Sequence, residues 1–160
     1  MSLDLFDEDD LQQPTRIEQF STQAFVLRGF ALPWVEALLT ALERVLHESP
    51  FRHMQTPGGF TMSARLSSCG ALGWTSSAHG YRYSPVDPLS GMPWPAIPQA
   101  LLDLAHSAAA TAGFEHFVPD ACLINAYAPG AKMSLHQDKN ERAYTAPIVS
   151  ISLGLPAMFQ

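Results

Sequence analysis

At Gly113 the hydrophobic period of this chain changes from that of a helix to that of a strand. Upstream, Trp34, Leu38, Leu42 and Val45 recur at helical spacing within residues 33–48, and Leu101, Leu102 and Ala105 do so within 98–112. Pro33 and Pro98 suit first helical turns, while Ser49-Pro50 and Gly113 close the two runs. Downstream the period is two. Residues 121–128 (ACLINAYA) and 147–153 (PIVSISL) read as strands, the second with Val149, Ile151 and Leu153 on one face, and 133–138 reads as a third. A chain that begins with helices and ends rich in strands is α+β, with an antiparallel sandwich or barrel starting near Ala121.

The rest of the chain is read by the same rules. Residues 24–30 read as a first strand and 59–66 as another, after the Thr56-Pro57-Gly58-Gly59 turn. Residues 81–98 hold five prolines in eighteen positions and are expected to form a surface loop. Five of the fifteen acidic residues (Asp4, Asp7, Glu8, Asp9, Asp10) lie in the first ten positions, so residues 1–15 read as an acidic flexible tail and the remainder is nearly neutral. A chain-wide basic footprint for nucleic acid is absent. No apolar run approaches the ~18 residues of a membrane span, and the acidic start is unlike a secretory signal, so a cytoplasmic location with no membrane partner is expected. The two cysteines, Cys69 and Cys122, form no Cys-x-x-Cys pair and read as reduced, mostly buried thiols.

Three groups of residues carry possible chemistry. In His136-Gln137-Asp138, positions i and i+2 of a strand face the same side, so an imidazole and a carboxylate can converge on one metal. The spacing alone favours the plainer reading, a surface histidine beside a solvated aspartate. Asn125 and Tyr127 share a strand face, and a turn at residues 128–131 would bring them near His136, where an amide and a phenol on an inward face can hold a small carboxylate-bearing ligand. A core tyrosine with a bonded hydroxyl is the alternative. Finally, residues 49–86 contain no Asp or Glu but hold Arg52, Arg65, Arg82, His53 and His79 among Phe51, Phe60, Trp74, Tyr81 and Tyr83. Cations with interleaved rings suit phosphates and stacked bases, with Gly70, Gly73 and Gly80 giving the rings room to move. An accidental gap between acids, with the rings in a core, is the other reading.

Taken together, TPGGFTMS, GALGWTSSAHGYRYSPVDP, WPAIPQ, PDACLINAYAPGAKMSLHQDKNE and APIVSISLGLPAMFQ resemble the AlkB-type Fe(II)- and 2-oxoglutarate-dependent dioxygenases that repair alkylated nucleic acids. The likeness runs from about Pro50 to Gln160. It implies a double-stranded β-helix (jelly roll) core under N-terminal helices and a nucleotide-recognition lid. Residues 16–113 would form the N-terminal extension and lid, and 114–160 the first part of the core. His136 and Asp138 match two of the three iron ligands, and Leu123, Asn125 and Tyr127 match 2-oxoglutarate contacts. Trp74, Tyr81, Arg82 and Tyr83 match the lid that holds the damaged base, with His136 stacking on the base's other side. Asn140 stands where the best-known bacterial members have an aspartate touching the base.

The implied reaction uses Fe(II), 2-oxoglutarate and O₂ to hydroxylate the methyl carbon of 1-methyladenine or 3-methylcytosine, releasing formaldehyde, succinate and CO₂. The implied partner is alkylated DNA, single- or double-stranded, with RNA as a further substrate, and the implied state is a monomer. An inactive nucleic-acid-binding fragment and a small-molecule oxygenase are the alternatives. The apolar ending at 157–160 reads as mid-strand, and no histidine follows His136. The remaining core strands are therefore expected beyond Gln160; the resemblance places the second histidine ligand and the 2-oxoglutarate arginines there as well, and implies that these 160 residues alone do not turn over.

Overall fold

Among the described residues every strand ladder is a two-stranded antiparallel pair, and two α-helices accompany them. The computed structural model describes residues 3–4, 15–134, 143–155 and 158–159. In chain order the elements are β1 (Leu3–Asp4), β2 (Arg16–Ser21), β3 (Ala24–Arg28), α1 (Val35–Glu48), β4 (Arg65–Gly70), β5 (Gly73–Ser77), β6 (Gly80–Ser84), α2 (Gln99–Thr111), β7 (Ala121–Ala126) and β8 (Met158–Phe159). The pairs are β1–β8, β2–β3, β4–β7 and β5–β6.

The helices follow their local signals. A 3-10 turn at Leu32–Trp34 containing Pro33 leads into α1, which ends at Ser49, whose N–H donates to the Val45 carbonyl at 2.8 Å. Pro98 is the N-cap of α2, and beyond its end Gly113 takes φ +91°, a left-handed conformation that suits glycine. Leu38 of α1 meets Leu101 and Leu104 of α2 in one buried cluster, against which Trp34, Leu42, Ile97, Cys122 and Ile151 pack. Leu102, expected to face inward, is only half-buried; Leu104 and Ala109 take the inner row with Leu101 and Ala105.

The strands depart more from expectation. The strand expected at 59–66 lies later, at Arg65–Gly70. Residues 54–62 instead fold back on themselves, with the Met62 N–H donating to the Met54 carbonyl at 2.8 Å. Serines hid β4: Ser67 and Ser68 are fully buried, and Ser67 Oγ donates to the Ser49 carbonyl at 2.6 Å, which satisfies the hydroxyl inside the fold. The loop expected over 81–98 begins with a strand, because the prolines start only at Pro85 and leave β6 free to pair with β5. β2, unexpected from sequence, pairs with β3 but is largely exposed, so no burial alternation marked it.

Residues 147–153 form no strand. Burial still alternates there, with Val149 and Ile151 half-buried between exposed neighbours, but a ladder needs a partner and none of the described residues supplies one. Leu153, expected on the same face, is exposed. Within the expected tail, Leu3 and Asp4 pair with Phe159 and Met158, while residues 5–14 lie outside the described part. The strand expected at 133–138 is absent at 133–134, and its remainder lies outside the described residues.

Candidate functional site

β7 is a short run whose alternate residues point to opposite sides. Cys122 packs on the helical core, so Leu123 and Asn125 face away from the helices. Leu123, Asn125 and Tyr127 are all exposed, Leu123 at 39% and Tyr127 at 49%. Tyr127 falls just beyond the ladder, which ends at Ala126 rather than Ala128. Burial raises the Tyr127 phenol above its ordinary value. In this fold it donates to Met133 Sδ at 3.7 Å, across the 128–131 turn; the expected approach to His136 lies outside the described residues.

The partner strand makes that face uneven. Leu66 and Ser68 of β4 lie opposite Asn125 and Leu123, yet both are buried. The cover over Ser68 comes from β5, whose Trp74 carbonyl lies 3.5 Å from Ser68 Oγ. On the β7 side Leu123 and Asn125 stay exposed. Beyond the turn, Ser63 Oγ donates to the Lys132 carbonyl at 2.9 Å and accepts from the Lys132 N–H at 3.3 Å. His136, Asp138 and Asn140 themselves lie outside the described residues. Among the described residues no three of His, Cys, Asp and Glu come close enough to share a metal ion.

The hairpin carries its aromatic residues on one face. Trp74 pairs with Tyr83 and Ser76 with Tyr81, so these four share a side, and the Trp74 and Tyr81 rings stack with centroids 5.4 Å apart and planes at 20°. Tyr81 is 46% exposed and Trp74 partly so, which excludes the reading of both as core rings. Arg82 pairs with Thr75 and therefore projects from the opposite face, apart from the Trp74, Tyr81 and Tyr83 group in which the sequence placed it.

Arg52 is a further correction. Sequence offered it to phosphate, but it forms an ion pair with Asp87, which is 2% exposed, and donates to Ser49 Oγ at 2.8 Å. The acid-free window is thus balanced by the first acid beyond it. Burial pushes the Asp87 carboxyl up, but the Arg52 hydrogen bond and charge, the Leu89 N–H at 2.8 Å and the Ser49 hydroxyl at 3.2 Å outweigh burial and hold it below its ordinary value. Arg65 and Arg82 remain exposed, Arg65 over the Phe51 ring at 5.4 Å.

Trp94, in the run WPAIPQ, went unread in the sequence. Its indole N–H donates to the Ser84 carbonyl at 2.9 Å, and the Arg52 guanidinium sits 5.5 Å from its ring centroid. A Cβ at Gly73 would come within 2.2 Å of the ring. Gly73 is therefore not a loosening residue, as expected, but the space that the indole fills. Since Gly73 pairs with Ser84, Trp94 braces the base of the hairpin. The signal available in sequence was a tryptophan between two prolines, but nothing local says which glycine it meets.

The chain is similar in sequence to known proteins over nearly all of its length. The family model of the 2OG-Fe(II) oxygenase superfamily matches residues 23–160. Over 159 residues the chain is 54% identical to the alpha-ketoglutarate-dependent dioxygenase AlkB of Escherichia coli K12, covering 99% of this chain and 71% of that protein. More distant similarity reaches the tRNA demethylase abh1 of Schizosaccharomyces pombe, 27% identical over 89 residues, covering 55% of this chain and 30% of that one. It also reaches the DNA N(6)-methyladenine demethylase ALKBH1A of Arabidopsis thaliana, 33% identical over 90 residues, covering 55% and 26%.

Proposed function

The chain belongs to the 2OG-Fe(II) oxygenase superfamily, and from that premise we propose that it serves the oxidative removal of methyl groups from alkylated nucleic-acid bases, DNA first and RNA as a further substrate. The observation that carries the proposal is the partly exposed Trp74–Tyr81 stack on the β5–β6 hairpin, in a chain whose β7 run also leaves Leu123, Asn125 and Tyr127 exposed. A stacking platform for a base and an open polar row for a cosubstrate are what a base-modifying oxygenase needs.

Each residue then has a part. The row fits 2-oxoglutarate by its chemistry: the Asn125 amide and the Tyr127 hydroxyl donate to a carboxylate, and Leu123 packs on the carbon chain. His136 and Asp138 would hold Fe(II), which when bound supplies the activation of O₂. A damaged base leaves its stack, as in other enzymes that do chemistry on bases, and Trp74, Tyr81 and Tyr83 receive its face while Asn140 meets its edge. Arg82, on the far face of the hairpin, takes a phosphate rather than the base. Residues 16–113 are the extension and lid, and residues 114–160 begin a jelly-roll core. The protein acts in the cytoplasm as a monomer; among the described residues no helix is long and apolar enough to cross a membrane.

The test measures formaldehyde released from an oligonucleotide carrying 1-methyladenine, by residues 1–160 and by the product of the whole reading frame, side by side. Release that stops when either Fe(II) or 2-oxoglutarate is withheld is expected of the whole-frame product. Binding to the oligonucleotide without release by either protein would favour a binding module. Release of succinate without any preference for nucleic acid would favour a small-molecule oxygenase.

The two faces of the hairpin give separate expectations. Trp74→Ala should weaken binding of the methylated oligonucleotide by about 1–3 kcal/mol and leave the dependence on salt unchanged. Arg82→Ala should instead flatten the slope of log K against log salt by about 0.7 on single strands. Titrations at several salt concentrations measure both, and a thermal melt of each variant should stay close to that of the parent.

A further inference from the structure

Cys69 and Cys122 are fifty-three positions apart in sequence, and they face each other directly across β4 and β7. Cys69 is fully buried, Cys122 is half-buried against the helical core, and both thiols are free. The hydrogen bonding around β4 fixes what kind of pair this is. Leu66 exchanges both backbone bonds with Arg52, at 2.8 and 3.0 Å, and the Gly70 N–H turns to the Pro95 carbonyl at 2.8 Å. Even-numbered residues of β4 thus direct their backbone groups away from β7, and Ser67 and Cys69 direct theirs toward it. Cys69 and Cys122 form a hydrogen-bonded cross-strand pair.

In such a pair the Cα atoms stand about 5.5 Å apart, inside the ~4.4–6.8 Å that a disulfide spans. The Cβ atoms stand about 5 Å apart, whereas a disulfide wants ~3.5–4.5 Å. A bond can close here, but only by drawing the strands together, and the strain makes it easier to reduce.

We propose that Cys69 and Cys122 are a modification site at which hydrogen peroxide forms a reversible, strained disulfide across β4 and β7. The sulfur of Cys122 attacks one peroxide oxygen; the O–O bond breaks, the other oxygen leaves as water, and Cys122 becomes a sulfenic acid. The sulfur of Cys69 then attacks that of Cys122; the S–O bond breaks and water departs with the Cys69 proton. Two thiols and one peroxide give one disulfide and two waters, the sulfurs supplying the two electrons. The order of attack agrees with the electrostatics: a side-chain hydrogen bond to Cys122, then burial, pushes the Cys69 thiol up, whereas the same bond draws the Cys122 thiol down against its own burial.

The experiment treats the folded protein with hydrogen peroxide, quenches with acid and alkylates under denaturing conditions. The expected result is loss of two hydrogens per chain in the intact mass, a peptide linking Cys69 to Cys122, no alkylation at either, and full recovery of both thiols with dithiothreitol. In Cys69→Ser, Cys122 should gain oxygen instead of losing hydrogen. Because the mass is read on the unaltered protein, the test stands even if that variant folds poorly. Two thiols that still alkylate after peroxide, a Cys122 that gains oxygen while Cys69 stays free, or disulfide-linked dimers on a non-reducing gel would each overturn the proposal.

Discussion

Replacing Asp87 with alanine is expected to cost about 3–5 kcal/mol of folding stability, the range for removing one member of a buried ion pair. The cost comes from what is left behind. Arg52, whose side chain is 14% exposed, would keep its charge without the carboxylate, and the Ser49 hydroxyl and Leu89 N–H would lose an acceptor. The network joins the end of α1, the start of the 49–86 window and the loop after β6, so three segments loosen together. Urea titration of the variant against the parent measures the loss. The same carboxylate gives a pH dependence with a definite sign. Its folded value lies below the ordinary 3.8, so its contribution is fully present above pH 3.8 and is lost as pH falls through the folded value. Asp87→Asn should remove that part of the acid limb, and an unchanged acid limb would mean that the pair contributes no net stability.

Trp94→Ala is expected to cost a similar ~3–5 kcal/mol, the usual range for emptying a buried aromatic site. The indole occupies space that Gly73 leaves and satisfies the Ser84 carbonyl. Trp94→Phe keeps most of the ring but not the N–H, and should cost about 1–3 kcal/mol through the unpaired carbonyl. The hairpin carries Trp74 and Tyr81, so both variants should also bind methylated oligonucleotide more weakly at temperatures where they remain folded. A stability loss in Trp94→Ala with unchanged binding would show that the hairpin holds its orientation without its brace.

The sequence by itself determined what is local. Proline and glycine signals placed both helices to within a residue or two, because a helix is bonded within its own segment. Period-two alternation located β7 and put Asn125 and Tyr127 in one row, because that row depends only on the pleat; Leu123 was named only through resemblance. Spacing offered His136 and Asp138 as a possible metal pair and resemblance alone made them iron ligands, and both lie outside the described residues. Pairings between distant segments were decided by the tertiary structure alone. β4 carries buried serines that read as polar, and only the Ser49 carbonyl makes Ser67 acceptable inside. Arg52 looked free for phosphate until Asp87, thirty-five positions on, took its charge. Arg82 went to the far side of its hairpin by register, and register also set Cys69 against Cys122. A sliding strand would turn every one of these side chains over, and what stops it is burial on one face of the pair, a property that exists only once both strands are present.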